Sequence, residues 1–152
     1  TKLDSSQKEH LKALKSSASN ILFLVNDILD LAKLEKRKIT LEKIDFSLID
    51  VIEKSISILK SKAIDNNVDI KFIQSKKVPK LIIGDAFRFQ QIIINLLDNA
   101  IKYSPNGQAI IELTKEDNKS LKVVVSDNGV GIQKDKLKHI FQPYAQEKTK
   151  SP

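Results

Sequence analysis

From Leu3 to Lys38 the chain runs without a proline or a glycine, and apolar residues recur at Leu11, Leu14, Ala18, Ile21, Val25, Ile28, Ala32 and Leu34. Steps of three and four residues put these side chains on one stripe with lysines opposite, which predicts a single long amphipathic helix. A helix of about 35 residues is roughly 50 Å long. In a chain of 152 residues no compact domain can cover that stripe from within, so it needs a partner helix. Coiled-coil or bundle packing, and a homodimer through this helix, is the expectation.

The remainder is long enough for one domain with its own core. Its texture changes after Lys38. Ile39, Leu41, Ile44 and Phe46 suggest a strand. Ser47 has the chemistry of a helix N-cap, with Asp50 three residues on, ahead of an amphipathic run from Leu48 to Ile64. Asp65-Asn66-Asn67 signals a turn, Val68 to Ile73 alternates as a strand, and Leu81-Ile82-Ile83 forms a short buried strand stopping at Gly84. Phe87 to Tyr103 is a strongly apolar helix ended by Ser104-Pro105-Asn106-Gly107. Ala109 to Thr114 and Leu121 to Ser126 read as two strands around a polar turn, a hairpin, and Lys134 to Phe141 as a last short helix. This order gives an α+β fold: a bundle-forming helix over 1–38, then an α/β sandwich over 39–152. Element order alone points to one antiparallel sheet faced by helices.

Composition narrows the chemistry. With no cysteine, disulfides, thiol nucleophiles and thiolate metal sites are excluded, and a reducing cytoplasm fits. No apolar run is long enough to span a membrane and no signal-peptide pattern opens the chain. The net charge of +7 raises nucleic acid as a partner, yet the lysines are scattered among acids and only Arg37 and Arg88 are arginines. A solvated lysine-rich surface is the better reading, with no nucleic-acid partner. The two histidines, His10 and His139, are too far apart in the chain to suggest a zinc site.

Two segments stand out chemically. In the helix ending at Tyr103, Asn95 and Asn99 sit four residues apart in an oily run, with Lys102 and Tyr103 at three and four more. All four share one face. An amide oxygen is a neutral hard ligand suited to magnesium, and an ammonium suits phosphate. An ordinary solvent-facing polar stripe is the other reading of the same residues. In the second segment, Val123-Val124-Val125-Ser126-Asp127-Asn128-Gly129-Val130-Gly131, a strand delivers an Asp to its end, followed by alternating glycines. A buried carboxylate there can accept a hydrogen bond from an exocyclic amine such as that of adenine. Asp-Asn-Gly is also a common turn composition, and by itself the segment does not decide.

Taken together, Asn-x-x-x-Asn-Ala-x-Lys-Tyr and Asp-x-Gly-x-Gly resemble the Bergerat-type ATP-binding fold of histidine kinases, type II topoisomerases, mismatch-repair ATPases and a chaperone family. Gly84-Asp85, Arg88, Gln91 and the run Asn95 to Ser104 are close to the asparagine box of histidine kinases. Phe141-Gln142-Pro143-Tyr144 resembles their Phe-x-Pro-Phe box with Tyr in the last place. Asn26-Asp27-Ile28-Leu29-Asp30-Leu31-Ala32-Lys33-Leu34-Glu35 is similar to the second helix of their dimerisation and phosphotransfer domain. The chain is thus identified as resembling a two-component sensor histidine kinase, whose ATP-binding domain is a mixed sheet covered by helices.

The resemblance implies that Asn99 ligates the magnesium bridging the ATP phosphates, with Asn95 in support. It implies that Lys102 contacts phosphate, that Tyr103 packs near the nucleotide, and that Asp127 reads the adenine amine. Gly129 and Gly131 would let the loop close on the base. Where chaperone and topoisomerase relatives carry a water-activating acid, this chain has Asn95, which cannot act as a base; that favours phosphoryl transfer to an imidazole over hydrolysis. His10 is followed by Leu11 rather than an acid, so the phosphoacceptor His is expected to precede Thr1, and the glycine-rich lid to follow Pro152. The chain alone is accordingly expected to bind ATP weakly and to lack autokinase activity, its parent relaying phosphate to a response regulator receiver domain. A dimerising interaction module with a nonfunctional ATP site is the alternative.

Overall fold

The computed structural model describes residues 40–117 and 120–140, together with Asp4, Gln7, His10, Leu11 and Leu14. Contacts divide the chain into two units, Thr1–Leu41 and Glu42–Pro152. In the first unit the Asp4 carboxylate accepts from the Gln7 backbone N–H at 2.8 Å, and the Gln7 side-chain carbonyl accepts from the Asp4 N–H at 3.1 Å. Such reciprocal bonds satisfy donors that a helix start leaves open. Gln7, His10, Leu11 and Leu14 are helical. The rest of the long helix expected from Leu3 to Lys38 lies outside the described residues, as does the Phe141–Tyr144 box.

The second unit begins with strand β1 (Ile44–Phe46) and helix α1 (Leu48–Asp65). Ser47 caps α1, its hydroxyl accepting from the Asp50 N–H at 3.2 Å. Leu48, Ile52, Ser55, Leu59 and Ala63 form the buried stripe of α1, and the Ser55 hydroxyl is satisfied by the Val51 carbonyl at 2.7 Å. The helix stops where Asn66 bonds back to the Lys62 carbonyl and Asn67 takes φ 53°, a left-handed turn that Asn tolerates. Strands β2 (Asp69–Gln74) and β3 (Ile82–Gly84) follow, then helix α2 (Ala86–Tyr103). Asp85 caps α2 through the Arg88 N–H at 2.9 Å.

Strands β4 (Gln108–Lys115) and β5 (Leu121–Asp127) form the expected antiparallel hairpin, while β2 pairs with β4 in parallel. The sheet β2-β4-β5 is therefore mixed, correcting the antiparallel expectation from element order. The long connection through β3 and α2 brings β4 back alongside β2 in the same direction, as parallel pairing requires. β1 and β3 make a separate antiparallel pair, Phe46 opposite Ile82. Only part of β3 is sheltered: Ile83, and Leu81 just before the strand, are exposed at 71% and 59%, so this is not the buried strand its composition suggests.

Ala109, Ile111 and Leu113 of β4 are fully buried, alternate residues aimed at the helices. Against them pack Ile52 of α1 and Ile93, Leu97, Ala100 and Ile101 of α2. Phe46 joins this core with its ring centre 6.1 Å from that of Phe89. An ion pair between Lys62 and Asp98 ties α1 to α2 on the surface. Among the described residues after β5, Lys136–Lys138 form a single 3-10 turn where a last helix from Lys134 was expected.

Candidate functional site

The face of α2 that the core does not use carries Ile92, Asn95, Leu96, Asn99 and Lys102, all exposed. The core-facing residues Ile93, Leu97, Ala100 and Ile101 fall between them at helical spacing. Asn95 and Asn99 are thus not buried within the apolar run that surrounds them in sequence, because that run supplies two faces, one packed and one open. Ile92 and Leu96 remain 56% and 45% exposed beside the two amides, an apolar surface interleaved with neutral oxygen and nitrogen groups. Tyr103, half-buried, closes the helix, and the Lys102 ammonium lies 4.8 Å from the centre of its ring.

Asp127 ends β5. It continues the series Leu121, Val123 and Val125, so alternation places it on the side of the sheet that the helices cover, opposite Ala109. There it meets the end of α2. The Ser104 hydroxyl, 2% exposed, donates to Asp127 Oδ1 at 3.1 Å, and the Gly129 N–H donates to the same oxygen at 2.8 Å. The Val130 N–H reaches the Tyr103 carbonyl at 3.3 Å. Asn128, between them, accepts from the Gln108 N–H at 2.7 Å and pins the loop to the start of β4. The Asp127 carboxylate is itself exposed, not the buried group its strand end suggests.

The glycines of this loop do different things. A side chain on Gly129 would place Cβ 2.2 Å from the Tyr103 carbonyl oxygen and 2.7 Å from Ser104 Oγ, so only glycine allows the loop to lie against the end of α2. Gly131 takes φ 69° in open space, where the requirement is conformational rather than steric.

Asn95, Asn99, Lys102, Tyr103, Asp127, Gly129 and Gly131 therefore lie along the exposed face and C-terminal end of α2 and in the loop tethered to that end. Among the described residues, two grooves of about 290 Å³ lie elsewhere: one is lined by Asn67, Val68, Asp69 and Gly107, the other by Lys77, Pro79, Lys115, Asp117, Ser120 and Leu121. Neither contains any of the residues singled out above, whereas the end of α2 and residues 127–131, joined by direct hydrogen bonds, follow an exposed face that carries two amides, an ammonium and apolar surface. Chemistry ranks that junction first.

Among the described residues no group of three or more His, Cys, Asp or Glu could hold a metal. Magnesium does not require one: it keeps several waters and is often bound through one or two protein oxygens plus phosphate. The exposed amide oxygens of Asn95 and Asn99 fit that role. No helix among the described residues is long and apolar enough to cross a membrane.

Residues 84–152, containing α2, β4, β5 and the 127–131 loop, match the family of histidine kinase-, DNA gyrase B- and HSP90-like ATPases. Hybrid signal transduction histidine kinase B of Dictyostelium discoideum is 37% identical over 150 residues, covering 96% of this chain and 8% of that protein. The histidine-protein kinase BarA of Escherichia coli K12 is 35% identical over 150 residues, 96% of this chain and 16% of its own. The crystal structure of full-length ShkA in complex with AMPPNP superposes with a TM-score of 0.71 at 27% identity, covering 90% of this chain and 29% of that one. The chain carries an ATPase domain of the sensor histidine kinase type. It spans less than a fifth of the length of these curated kinases, 8% and 16% for the two named.

Within this histidine kinase domain, three residues matter whose part was not read from the sequence. Ser104 stands before Pro105 and reads as a helix stop; its contact with Asp127 is made 23 residues away. Asn128 sits in what composition describes as a turn. Asp85 had a local signal, an acid directly before an apolar helical run. Its second oxygen accepts from the Glu42 N–H at 3.2 Å, fastening the approach to β1 onto the start of α2. The Arg88 N–H holds the Asp85 carboxyl below the usual carboxylate range, partly opposed by desolvation, with the Glu42 N–H, the Arg88 charge and the Phe87 N–H acting in the same direction as Arg88. Asp85 lies at the far end of α2, roughly 28 Å from Ser104 at 1.5 Å per residue, so its work is capping.

Proposed function

We propose that this chain is the nucleotide-handling part of a sensor histidine kinase, binding ATP with magnesium against α2 and residues 127–131. Asp127 accepts the adenine amine, and Gly129 and Gly131 let the main chain follow the base. Tyr103 flanks the nucleotide, Lys102 meets phosphate, and Asn99, supported by Asn95, holds the magnesium, which neutralises phosphate charge when bound. Phosphoryl transfer depends mainly on such positioning and electrostatic stabilisation, with little covalent work for the protein. The acceptor is a histidine imidazole outside this chain, and the phosphoryl group then passes to an aspartate of a response regulator receiver domain. Pairing of two copies through the 1–38 helix is part of the same proposal, as is a two-domain division near residue 39.

The observation that carries this reading is the direct tether of Asp127 to the end of the asparagine-bearing helix, through Ser104 Oγ at 3.1 Å and through Gly129 at 2.8 Å. Segments about thirty residues apart in sequence thereby meet at the C-terminal end of α2, which a mere polar stripe or an isolated turn has no need to do. Asn95, offering no general base, favours transfer over hydrolysis. Calorimetry with AMPPNP and magnesium tests the reading: affinity is expected to fall on Asp127→Ala and on Asn99→Ala. Binding of equal strength in both variants would remove the assigned site, and a wild-type chain that dimerises without binding nucleotide would favour an interaction module instead.

A further inference from the structure

We infer that Ser104 is a positioning residue for base recognition: its buried hydroxyl occupies one oxygen of the Asp127 carboxylate and turns the other toward the ligand. The inference rests on the proposed adenine-reading role of Asp127 and adds the group that makes such reading selective. Asp127 Oδ1 takes two donors, Ser104 Oγ at 3.1 Å and the Gly129 N–H at 2.8 Å. Among the described residues Oδ2 is given no donor. A carboxylate has two oxygens that could each meet a ligand, and an exposed one rotates freely about its side-chain torsions.

Two donors on one oxygen restrict that freedom. One comes from the end of α2 and the other from the loop, so the carboxylate plane is set by both elements at once. Ser104 suits the task because it is 2% exposed and is the C-cap of α2, with its backbone fixed by the helix before it. The consequence is chemical. An ionised carboxylate only accepts, so a ligand must present a donor to Oδ2, and the contacts on Oδ1 fix where that oxygen stands. A 6-amino purine does so, whereas a 6-oxo purine brings a carbonyl oxygen against a carboxylate and is repelled. Ser104 thereby acts on selectivity between bases rather than on contacts with phosphate.

The test compares the 152-residue chain with Ser104→Ala and Ser104→Thr in two measurements. Three-bond couplings of the Asp127 side chain read its rotamer without any nucleotide. Affinities for ADP and inosine diphosphate, both with magnesium, read the base preference. A single Asp127 rotamer is expected in the wild type and in Ser104→Thr, and averaging in Ser104→Ala. The ratio of ADP to inosine diphosphate affinity is expected to drop about tenfold in Ser104→Ala, roughly one charge-assisted hydrogen bond, and to recover in Ser104→Thr. An unaltered rotamer in Ser104→Ala overturns the positioning role whatever the nucleotide data show. A wild-type chain that binds both nucleotides equally overturns the base-reading assignment beneath it. Equal loss of both affinities in Ser104→Ala, with the ratio intact, reduces Ser104 to a purely structural residue and also overturns the inference.

Discussion

Gly129→Ala places the sharpest demand on the junction between α2 and the loop after β5. The added methyl carbon would start 2.2 Å from the Tyr103 carbonyl oxygen, 2.8 Å from the Tyr103 carbonyl carbon and 2.7 Å from Ser104 Oγ. Non-bonded heavy atoms settle near 3.5 Å, so relief requires a movement of about 1 Å or more. The Tyr103 carbonyl belongs to the last turn of a packed helix, which leaves the loop to move. That movement strains three contacts at once: Gly129 N–H to Asp127, Ser104 to Asp127, and Val130 N–H to Tyr103. Overpacking of this kind costs about 1–3 kcal/mol. Urea unfolding followed by circular dichroism measures that loss, and AMPPNP titration of the same samples measures what happens to Asp127. Both stability and affinity are expected to fall. Gly131→Ala meets no atom, and at φ 69° its expected cost in stability is the left-handed penalty of about 1–2 kcal/mol alone. A Gly129→Ala chain within about 0.5 kcal/mol of wild type, with affinity intact, would refute the close packing on which the junction rests.

Three further outcomes follow from the same geometry. Leu97, fully buried where α2 meets the sheet, should cost about 2–5 kcal/mol on Leu97→Ala, whereas the open-face change Leu96→Ala should stay within about 0.5 kcal/mol, both by urea unfolding. Because the fold depresses the Asp85 carboxyl, its capping contribution is present above the unfolded carboxylate value of about 3.9 and is lost as pH falls through the folded value. Asp85→Ala should therefore melt below wild type at neutral pH, with the gap closing in acid; a gap independent of pH contradicts the capping charge. Magnesium should tighten AMPPNP binding to the wild type and leave Asn99→Ala unchanged, as read by calorimetry with and without the metal.

Much of the architecture is local chemistry and could be read from the chain. Ser47 announced α1, Asn66-Asn67 its end, and alternation in β4 and β5 their pairing, because caps, turns and strand faces depend on near neighbours. The parallel match of β2 with β4 is set by a connection of more than thirty residues and by burial, which residue pattern does not encode. For the same reason Leu81 and Ile83 looked buried and are not: a short apolar run does not say how many of its sides are covered. The asparagine-bearing face was legible as a spacing, but its exposure was not, since apolar residues such as Ile92 and Leu96 share that face. Ser104, Asn128 and Gly129 owe their roles to contacts across the fold, and their sequence signal is only that of a helix stop and a turn.

The account stands on one spatial claim, that α2 and the loop after β5 serve the same nucleotide. Titrating an isotopically labelled chain with magnesium ADP and following its amide resonances tests that claim directly, even when binding is weak. Shifts are predicted at the backbone amides of Asn128, Gly129, Val130 and Gly131 and at the side-chain amides of Asn95 and Asn99, saturating with one common dissociation constant. Shifts gathered instead around Asn67 and Gly107, or two sets saturating independently, would contradict it.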